Sequence, residues 1–316
     1  MKLSIVVPAY NEGDGLERFY TETVKYLPEI SKDYEIVFVD DGSNDNTLEV
    51  MKRLAHHDHR VKVYSFKGNR QKADALMLGF AKATGDFIFT MDADLQDKPS
   101  ELQKFLDKQK EDDADVVCGW RKHRKDKSKM VIISKFFNWL NHVLFKLNLH
   151  DIDCGFKLFK KDAAKSLQIY GGLYRFIPLL LQQQGYLVQE VVVEHDVRQY
   201  GYSKYGFTKI FKNLPDLFTI IFLLKFSKRP LHFFGFLGGL MMLAGLILFA
   251  YLTIIWFGGE SIGDRPLLLF SILLMLGGMQ TFFTGFLADL FINLNFKSKS
   301  QADNASHFPL KYSSEK

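Results

Sequence analysis

The sequence predicts an α/β domain with a mostly parallel sheet, followed by a two-helix transmembrane hairpin. Three observations predict it. Apolar runs of strand length alternate with segments of helical periodicity through the first 200 residues, a pattern that yields parallel strands with helices on both faces. The polar clusters "PAYNE", "DDGS" and "DADLQD" follow the first, second and fourth of those runs, and ligands of such sheets bind beyond the C-terminal strand ends. Finally, no Asp, Glu, Lys or Arg interrupts Leu231 to Gly259 or Pro266 to Ala288, and each run exceeds the ~20 residues that cross a hydrocarbon core as a helix.

The first strand is "LSIVVPA", whose unbroken apolar character is that of a strand covered on both faces. "EIVFVDDG", "VKVYSF", "DFIFTMDAD" and "ADVVCGW" read alike, with helices between them at about residues 14–28, 47–57, 71–83 and 99–112. Asp45 or Asn46 is placed to cap the second helix. Pro99 suits the first turn of the fourth, where its missing N–H costs nothing. The start "MKLSIVVPAY" lacks a cleavage-site pattern and reads as a strand rather than a signal peptide. Two cysteines, Cys118 and Cys154, make no disulfide framework and are compatible with a reducing compartment. The balance of 41 Lys and Arg against 36 Asp and Glu, a net +5, does not mark a nucleic-acid binder, and no nucleic-acid partner is expected.

The flanks of the apolar runs orient the hairpin. Lys225, Lys228 and Arg229 precede the first run and Lys297 and Lys299 follow the second, while the intervening "GESIGDR" holds one Arg and two acids. The positive-inside rule puts both termini and the N-terminal domain in the cytoplasm. Glycines at 238, 239, 245, 277, 278 and 285 permit close helix packing, and Trp256 and Phe257 sit where an interfacial anchor belongs. Residues 131–147 and 207–226 mix aromatics and leucines with few charges and read as interfacial helices. Residues 120–129 carry six Lys or Arg against one Asp, a patch suited to anionic lipid heads. The expected divisions are a cytosolic domain at 1–206, an interfacial region at 207–229, two spans within 230–296 (about 231–257 and 266–292), and a disordered tail at 297–316.

Chemistry concentrates in "MDADLQD". Asp92 and Asp94 are spaced i, i+2 just past a strand, with no zinc-type His/Cys cluster nearby. Such a pair suits a hard cation, Mg²⁺ or Mn²⁺, whose remaining ligands are waters and the oxygens of a bound diphosphate.

In this order, "IVVPAYNE", "EIVFVDDGSNDNT", "GDFIFTMDADLQDKP" and "DCGFKLF" resemble the family 2 glycosyltransferases of the GT-A fold. With two C-terminal spans the chain is similar to the polyisoprenyl-phosphate glycosyltransferases, among them the dolichyl-phosphate mannose and glucose synthases and the bactoprenol glucosyltransferases. The resemblance covers about residues 1–290. It implies a metal-dependent hexosyltransferase of the cell membrane, serving cell-envelope glycosylation. One sugar would pass from a nucleotide-sugar donor (UDP-glucose or UDP-GlcNAc first, GDP-mannose next) to undecaprenyl or another polyprenyl phosphate. It leaves room for a homo-oligomer. The competing readings are a processive polysaccharide synthase, for which "QQQGY" at 182–186 is not the "QxxRW" motif, and an inactive scaffold of the same fold.

Residue by residue, the resemblance places Pro8, Ala9, Tyr10 and Glu12 along the base and ribose, with Asp40 or Asp41 hydrogen-bonding them. Lys72 would reach a phosphate, although "GNRQKADAL" lacks the family's glycine-rich form. Asp92, Ala93 and Asp94 would meet the donor, with Asp92, Asp94 and Gln96 at the metal. Asp151 or Asp153, with Asp153 preferred, supplies a carboxylate that orients the acceptor, and Arg121 and Lys135 stand near the lipid phosphate. Arg198, Gly201, Ser203 and Lys204 match "R-x-x-G-x-S-K", in a loop at 195–206 expected to close over the diphosphate.

Overall fold

The structure is a computed structural model that describes residues 1–122, 149–194, 219, 222, 225, 226 and 229–300. Its described residues fall into two units, one within Met1–Asp216 and one within Leu217–His307.

The first unit is a seven-stranded sheet in the order β3-β2-β1-β4-β6-β5-β7. Strands β1 (Leu3–Ala9), β2 (Tyr34–Asp40), β3 (Val61–Ser65), β4 (Phe87–Thr90), β5 (Val116–Trp120), β6 (Lys157–Lys160) and β7 (Val188–Val192) are joined by helices. These are α1 (Gly13–Ile30), α2 (Thr47–His57), α3 (Gln71–Lys82), α4 (Leu102–Asp112), α5 (Lys161–Ser166) and α6 (Ile177–Gln183), with 3₁₀ turns at Pro99–Glu101 and Gly171–Phe176. The first three predicted helices thus hold to within two residues at their ends, and the fourth begins at Leu102, after a 3₁₀ turn that Pro99 opens. β1 and β2 are buried along nearly their whole length, as unbroken apolar runs require. A layer of Phe89, Phe105 and Phe156 under the sheet includes a Phe105–Phe156 centroid separation of 4.3 Å.

β6 departs from the parallel pattern. It runs antiparallel to β4 and to β5, pairing Thr90 with Lys157 and Cys118 with Lys157. Its reversed direction carries the segment leading into it, residues 151–156, to the edge where β1, β2 and β4 end. The segment before β6 therefore shares an edge with "DDGS" and "DADLQD".

At the opposite edge a buried carboxylate ties three strands together. Glu35 accepts from Ser4 Oγ (2.7 Å), Thr84 N (2.6 Å), Thr84 Oγ1 (2.9 Å) and Lys62 Nζ (2.6 Å). Burial works to raise its pKa, but the bonds from Lys62, Ser4 and Thr84 prevail and hold it at about 2, below the unfolded 4.5. The sign follows. A depressed folded value adds stability that is complete above pH 4.5 and is lost as pH falls toward about 2. Glu35→Ala is expected to cost about 2–3 kcal/mol by orphaning the Ser4 and Thr84 donors. It should also flatten this acid limb, as read by thermal melts in detergent across that range; a melting temperature equal to wild type at neutral pH would contradict it.

The second unit is a helical hairpin, α7 (Pro230–Phe257) and α8 (Pro266–Ser300). Both helices are long and apolar enough to cross a membrane, and their outer faces expose Phe236, Ile247, Ile254, Leu269 and Phe286. α8 continues to Ser300, past the predicted end of the second span, and residues 297–300, expected in a disordered tail, are helical. The backbone reason is plain, since no Gly or Pro interrupts the sequence there. Four of the six glycines line the seam. A Cβ on Gly238 would lie 2.5 Å from Gly278 O, one on Gly278 2.7 Å from Gly238 O, one on Gly245 2.9 Å from Ser271 O, and one on Gly285 2.7 Å from Phe234 Cβ. Gly239 faces open space instead. Gly278→Val is accordingly expected to separate the helices at a cost of about 1–3 kcal/mol, while Gly239→Val is silent. Thermal melts of both purified variants in detergent check this, and equal melting temperatures would refute it.

Candidate functional site

The loops after β1 and β2 are stitched to one another. Asn11 N donates to Ser43 Oγ (3.0 Å), Asn44 N to Asn11 Oδ1 (2.9 Å), Glu12 N to Thr47 Oγ1 (2.9 Å) and Gly13 N to Asp45 Oδ2 (3.3 Å). Asp45 also accepts from Thr47 N at 3.0 Å, so the cap of α2 comes from Asp45, while Asn46 at the capping position makes no such bond. Pro8, Tyr10 and Glu12 are half-buried along this rim and Ala9 is buried.

Asp40 and Asp41 are buried and hold backbone. Asp40 accepts from Ser43 N (3.0 Å) and Ser65 Oγ (2.6 Å). Asp41 accepts from Arg70 N at 2.7 Å, and burial pushes its carboxyl up against the pull of the Arg70 and Gln71 N–H groups. Asp41, with the Asp40 carbonyl that accepts from Phe66 N, fixes the 66–70 loop, which lines an open cleft of about 460 Å³ from Ser65 to Arg70.

At the end of β4, Asp92 accepts from Lys72 Nζ at 2.5 Å. Burial works to raise the Asp92 pKa, but Lys72 prevails and holds the carboxyl below the usual range. Gly155 makes room for this carboxylate, since any Cβ there would stand 2.8 Å from Asp92 Oδ2. Thr90 Oγ1 secures that approach by donating to Gly155 O at 2.7 Å. Asp94 Oδ1 accepts from Gln96 N at 3.2 Å, closing a tight turn at Leu95. Asp97 was not assigned a role from sequence. It lies buried beneath this turn, and burial with the neighbouring Asp92 and Asp94 carboxylates pushes its carboxyl up to about 7, against the pull of Arg121. The signal was present as three acids in seven residues, but which one faces inward is set by the turn.

Three non-glycine residues around this edge adopt left-handed backbone: Asn11 (φ 54°), Gln71 (φ 77°) and Leu95 (φ 60°). Each such residue costs of order 1–3 kcal/mol, and such strain collects at functional sites. Here it falls on the loops after β1, before α3 and after β4.

Beyond β4, Arg121 and Asp151 form a buried two-pronged ion pair, Nε–Oδ2 2.6 Å and a terminal nitrogen–Oδ1 2.9 Å. Arg121, expected near a lipid phosphate, thus spends its fork on Asp151, and Trp120 stacks on His150 at 3.9 Å beside it. Asp153 is more than half exposed, with Arg175 Nε 3.8 Å away. Of the two candidate acids, Asp151 is buried and Asp153 is exposed. Tyr174 and Arg175 were missed by sequence reasoning because no motif marks their turn. Burial pushes both cysteine thiols up to about 12, so neither is a thiolate nucleophile at neutral pH. Lys135, the 195–206 loop with Arg198, Gly201, Ser203 and Lys204, residues 131–147, most of 207–226 and the tail from 301 lie outside the described residues.

Residues 4–168 match the family described as Glycosyl transferase family 2, a match that spans the sheet through β6 and every acidic residue above. The chain belongs to glycosyl transferase family 2. Its sequence is similar to a dodecaprenyl-phosphate galacturonate synthase of Rhizobium johnstonii, 31% identical over 92% of this chain and 87% of that one. It is also similar to an undecaprenyl-phosphate 4-deoxy-4-formamido-L-arabinose transferase of Proteus mirabilis, 30% identical over 91% and 87%. Among solved structures, mannosyl-3-phosphoglycerate synthase of Rubrobacter xylanophilus superposes with a TM-score of 0.54 at 16% identity, covering 70% of this chain and 73% of that one. Glucosyl-3-phosphoglycerate synthase of Mycobacterium tuberculosis, crystallised with Mn²⁺ and UDP, gives 0.52 at 16%, covering 70% and 77%. At these identities the likeness is one of fold, and the fold of this glycosyltransferase is GT-A.

Among the described residues no three or more His, Cys, Asp or Glu converge as a metal cage. The acidic edge nevertheless suits a cation. Asp92 already holds the ammonium of Lys72, and Asp94 and Asp97 crowd the same turn. Two carboxylates, completed by waters and phosphate oxygens, are the donor set Mg²⁺ takes in phosphate-bearing sites.

Proposed function

We propose that this glycosyltransferase moves one sugar from a nucleoside-diphosphate sugar to a polyprenyl phosphate at the cytosolic surface of a membrane. The observation that carries the proposal is the paired Asp92 and Lys72 at the end of β4, with Asp94 beside them, in a chain that also bears an apolar hairpin. The two relatives support the acceptor, since both are named for a polyprenyl phosphate and match over nine-tenths of the chain, well beyond residue 168.

The nucleoside would lie along Pro8 to Glu12 and the cleft at 65–70, within loops fixed by Asp40 and Asp41. A Mg²⁺ or Mn²⁺ held by Asp92 and Asp94, with Gln96 adjacent, would neutralise charge on the departing diphosphate. Lys72 would exchange Asp92 for a phosphate oxygen. The acceptor's phosphate oxygen attacks the anomeric carbon. The bond from that carbon to the diphosphate oxygen breaks, and the nucleoside diphosphate leaves with the electron pair. A phosphate monoester is already largely ionised at neutral pH, its second pKa being about 6. The exposed Asp153 would therefore orient the acceptor rather than take a proton. Arg198 and Lys204 would close over the diphosphate and Lys135 would lie near the lipid head. The hairpin would tether the domain to the inner leaflet, with both termini cytoplasmic, by the positive-inside rule.

The test incubates the purified full chain, in detergent with undecaprenyl phosphate, with labelled nucleotide sugars. UDP-glucose and UDP-GlcNAc come first, then GDP-mannose, then galacturonate and 4-formamido-arabinose donors. Mass spectrometry of the lipid product should show one added sugar. No lipid product with any donor, or chain growth past one sugar, would refute the proposal.

A further inference from the structure

The 3₁₀ turn Gly171–Phe176 packs on α3 and presents Tyr174 and Arg175 to the acidic edge. The Tyr174 ring centre lies 5.6 Å from Lys72 Nζ and 5.1 Å from the Arg175 guanidinium carbon, both within cation–π range. Lys72 in turn holds Asp92, and Arg175 stands 3.8 Å from Asp153, beyond hydrogen-bond length. Asp92, Lys72, Tyr174, Arg175 and Asp153 thus form one continuous row, two carboxylates at its ends and two cations separated by an aromatic ring.

The sheet order gives the row a direction. β1 and β2, whose loops carry the nucleoside side, lie on one flank of β4, and β6 lies on the other. Asp153 precedes β6, so the Asp153–Arg175 end of the row is the end away from Asp40 and Asp41. An acceptor reaching the anomeric carbon from across the donor meets this end. A dianionic phosphate beside Asp153 alone would be repelled, and a cation must stand between them. Arg175 has that position, and its side chain is only 15% exposed, so little freedom is lost when it binds. Its planar fork matches two phosphate oxygens.

The geometry points to Arg175 as the residue that holds the acceptor's phosphate, with Asp153 as its counter-ion until that phosphate arrives. Tyr174 is a positioning residue that keeps Arg175 and Lys72 apart, each on its own phosphate. The assignment deepens, and rests on, the reading of the chain as a polyprenyl-phosphate glycosyltransferase.

The test uses the full chain in nanodiscs. In Arg175→Gln the KM for undecaprenyl phosphate should rise by about tenfold or more, while the KM for the nucleotide sugar stays within about twofold. Arg175→Lys should recover part of the loss, since it keeps the charge and loses the fork. If the Gln variant does not fold, the Lys variant carries the comparison, its remaining KM shift falling on the lipid alone. A rise in donor KM with acceptor KM unchanged overturns the assignment, as does an equal loss in both with a lowered melting temperature. A second arm separates this inference from the proposed function. Geranylgeranyl phosphate and geranylgeraniol are titrated onto wild type and variant in the presence of nucleoside diphosphate. Wild type should prefer the phosphate, and the variant should lose most of that preference. Absence of sugar transfer to lipid by wild type defeats the proposed function, and the titration still decides Arg175. Equal binding of phosphate and alcohol by wild type, or an unchanged preference in the variant, overturns it.

Discussion

Sugar transfer by Asp94→Ala is expected to fall by about a hundredfold or more, with Asp92→Ala close behind, and chelation of divalent cations should silence the wild type. The expectation comes from how β4 ends. Thr90 is the last paired residue, and the chain then turns through a left-handed Leu95 so that Asp92 and Asp94 crowd the same space above a buried Asp97. Burial, together with repulsion from Asp92 and Asp94, pushes Asp97 up to about 7. A divalent cation bridging to a diphosphate relieves that repulsion and turns it into affinity. The order of the two variants follows from Lys72. In Asp92→Ala the Lys72 ammonium no longer has its pair with Asp92 to break before it reaches the diphosphate, which offsets part of the loss. Asp94→Ala brings no such release. Initial rates with added Mg²⁺ or Mn²⁺, alongside Mn²⁺ binding by electron paramagnetic resonance with nucleoside diphosphate present, check both statements. Full activity of Asp94→Ala in the presence of chelator would sink the idea.

The second large effect is expected at Gly42. Its φ of +70° is left-handed, and a residue with a side chain pays about 1–2 kcal/mol there. A Cβ would also stand 2.4 Å from Gly68 C, 2.6 Å from Gly68 Cα and 2.8 Å from Asn69 N. Those are backbone atoms of a loop fixed by Arg70 N on Asp41 and by Phe66 N on Asp40 O at 3.0 Å, so it cannot give way alone. Gly42→Ala should lower stability by about 2–4 kcal/mol and raise the donor KM by about tenfold, since the cleft at 65–70 deforms. Gly68→Ala is the control, because a Cβ at Gly68 meets nothing within 4 Å and should leave both values near wild type. Donor KM and melting temperature unchanged in Gly42→Ala would overturn this account of the loop.

What was legible in the sequence is what local physics dictates. Unbroken apolar runs became β1 to β5, helical periodicity became α1 to α4, and uncharged stretches of span length became the hairpin. Period and length are properties of a segment by itself, so no partner had to be known. The positions of Asp92 and Asp94 at a strand end followed in the same way. β6 was hidden because "KLFK" is four residues with a lysine at each end. It becomes a strand only because β4 and β5 flank it on both sides, and one of its lysines, Lys157, is buried by that pairing. The roles of the acids were hidden for a related reason. Asp151 and Asp153 are two residues apart and chemically identical, yet one is locked to Arg121 and the other is open beside Arg175. That difference, like the approach of Tyr174 to Lys72, depends on contacts between residues about 20 to 100 positions apart, which only the assembled sheet brings within reach. Sequence by itself determined β1 to β5, α1 to α4, the apolar hairpin helices and the chemical kinds at the edge of the sheet. The tertiary structure decided which charges face one another and which are left to face a substrate, because Coulomb and hydrogen-bond energies depend on distances that no local pattern encodes.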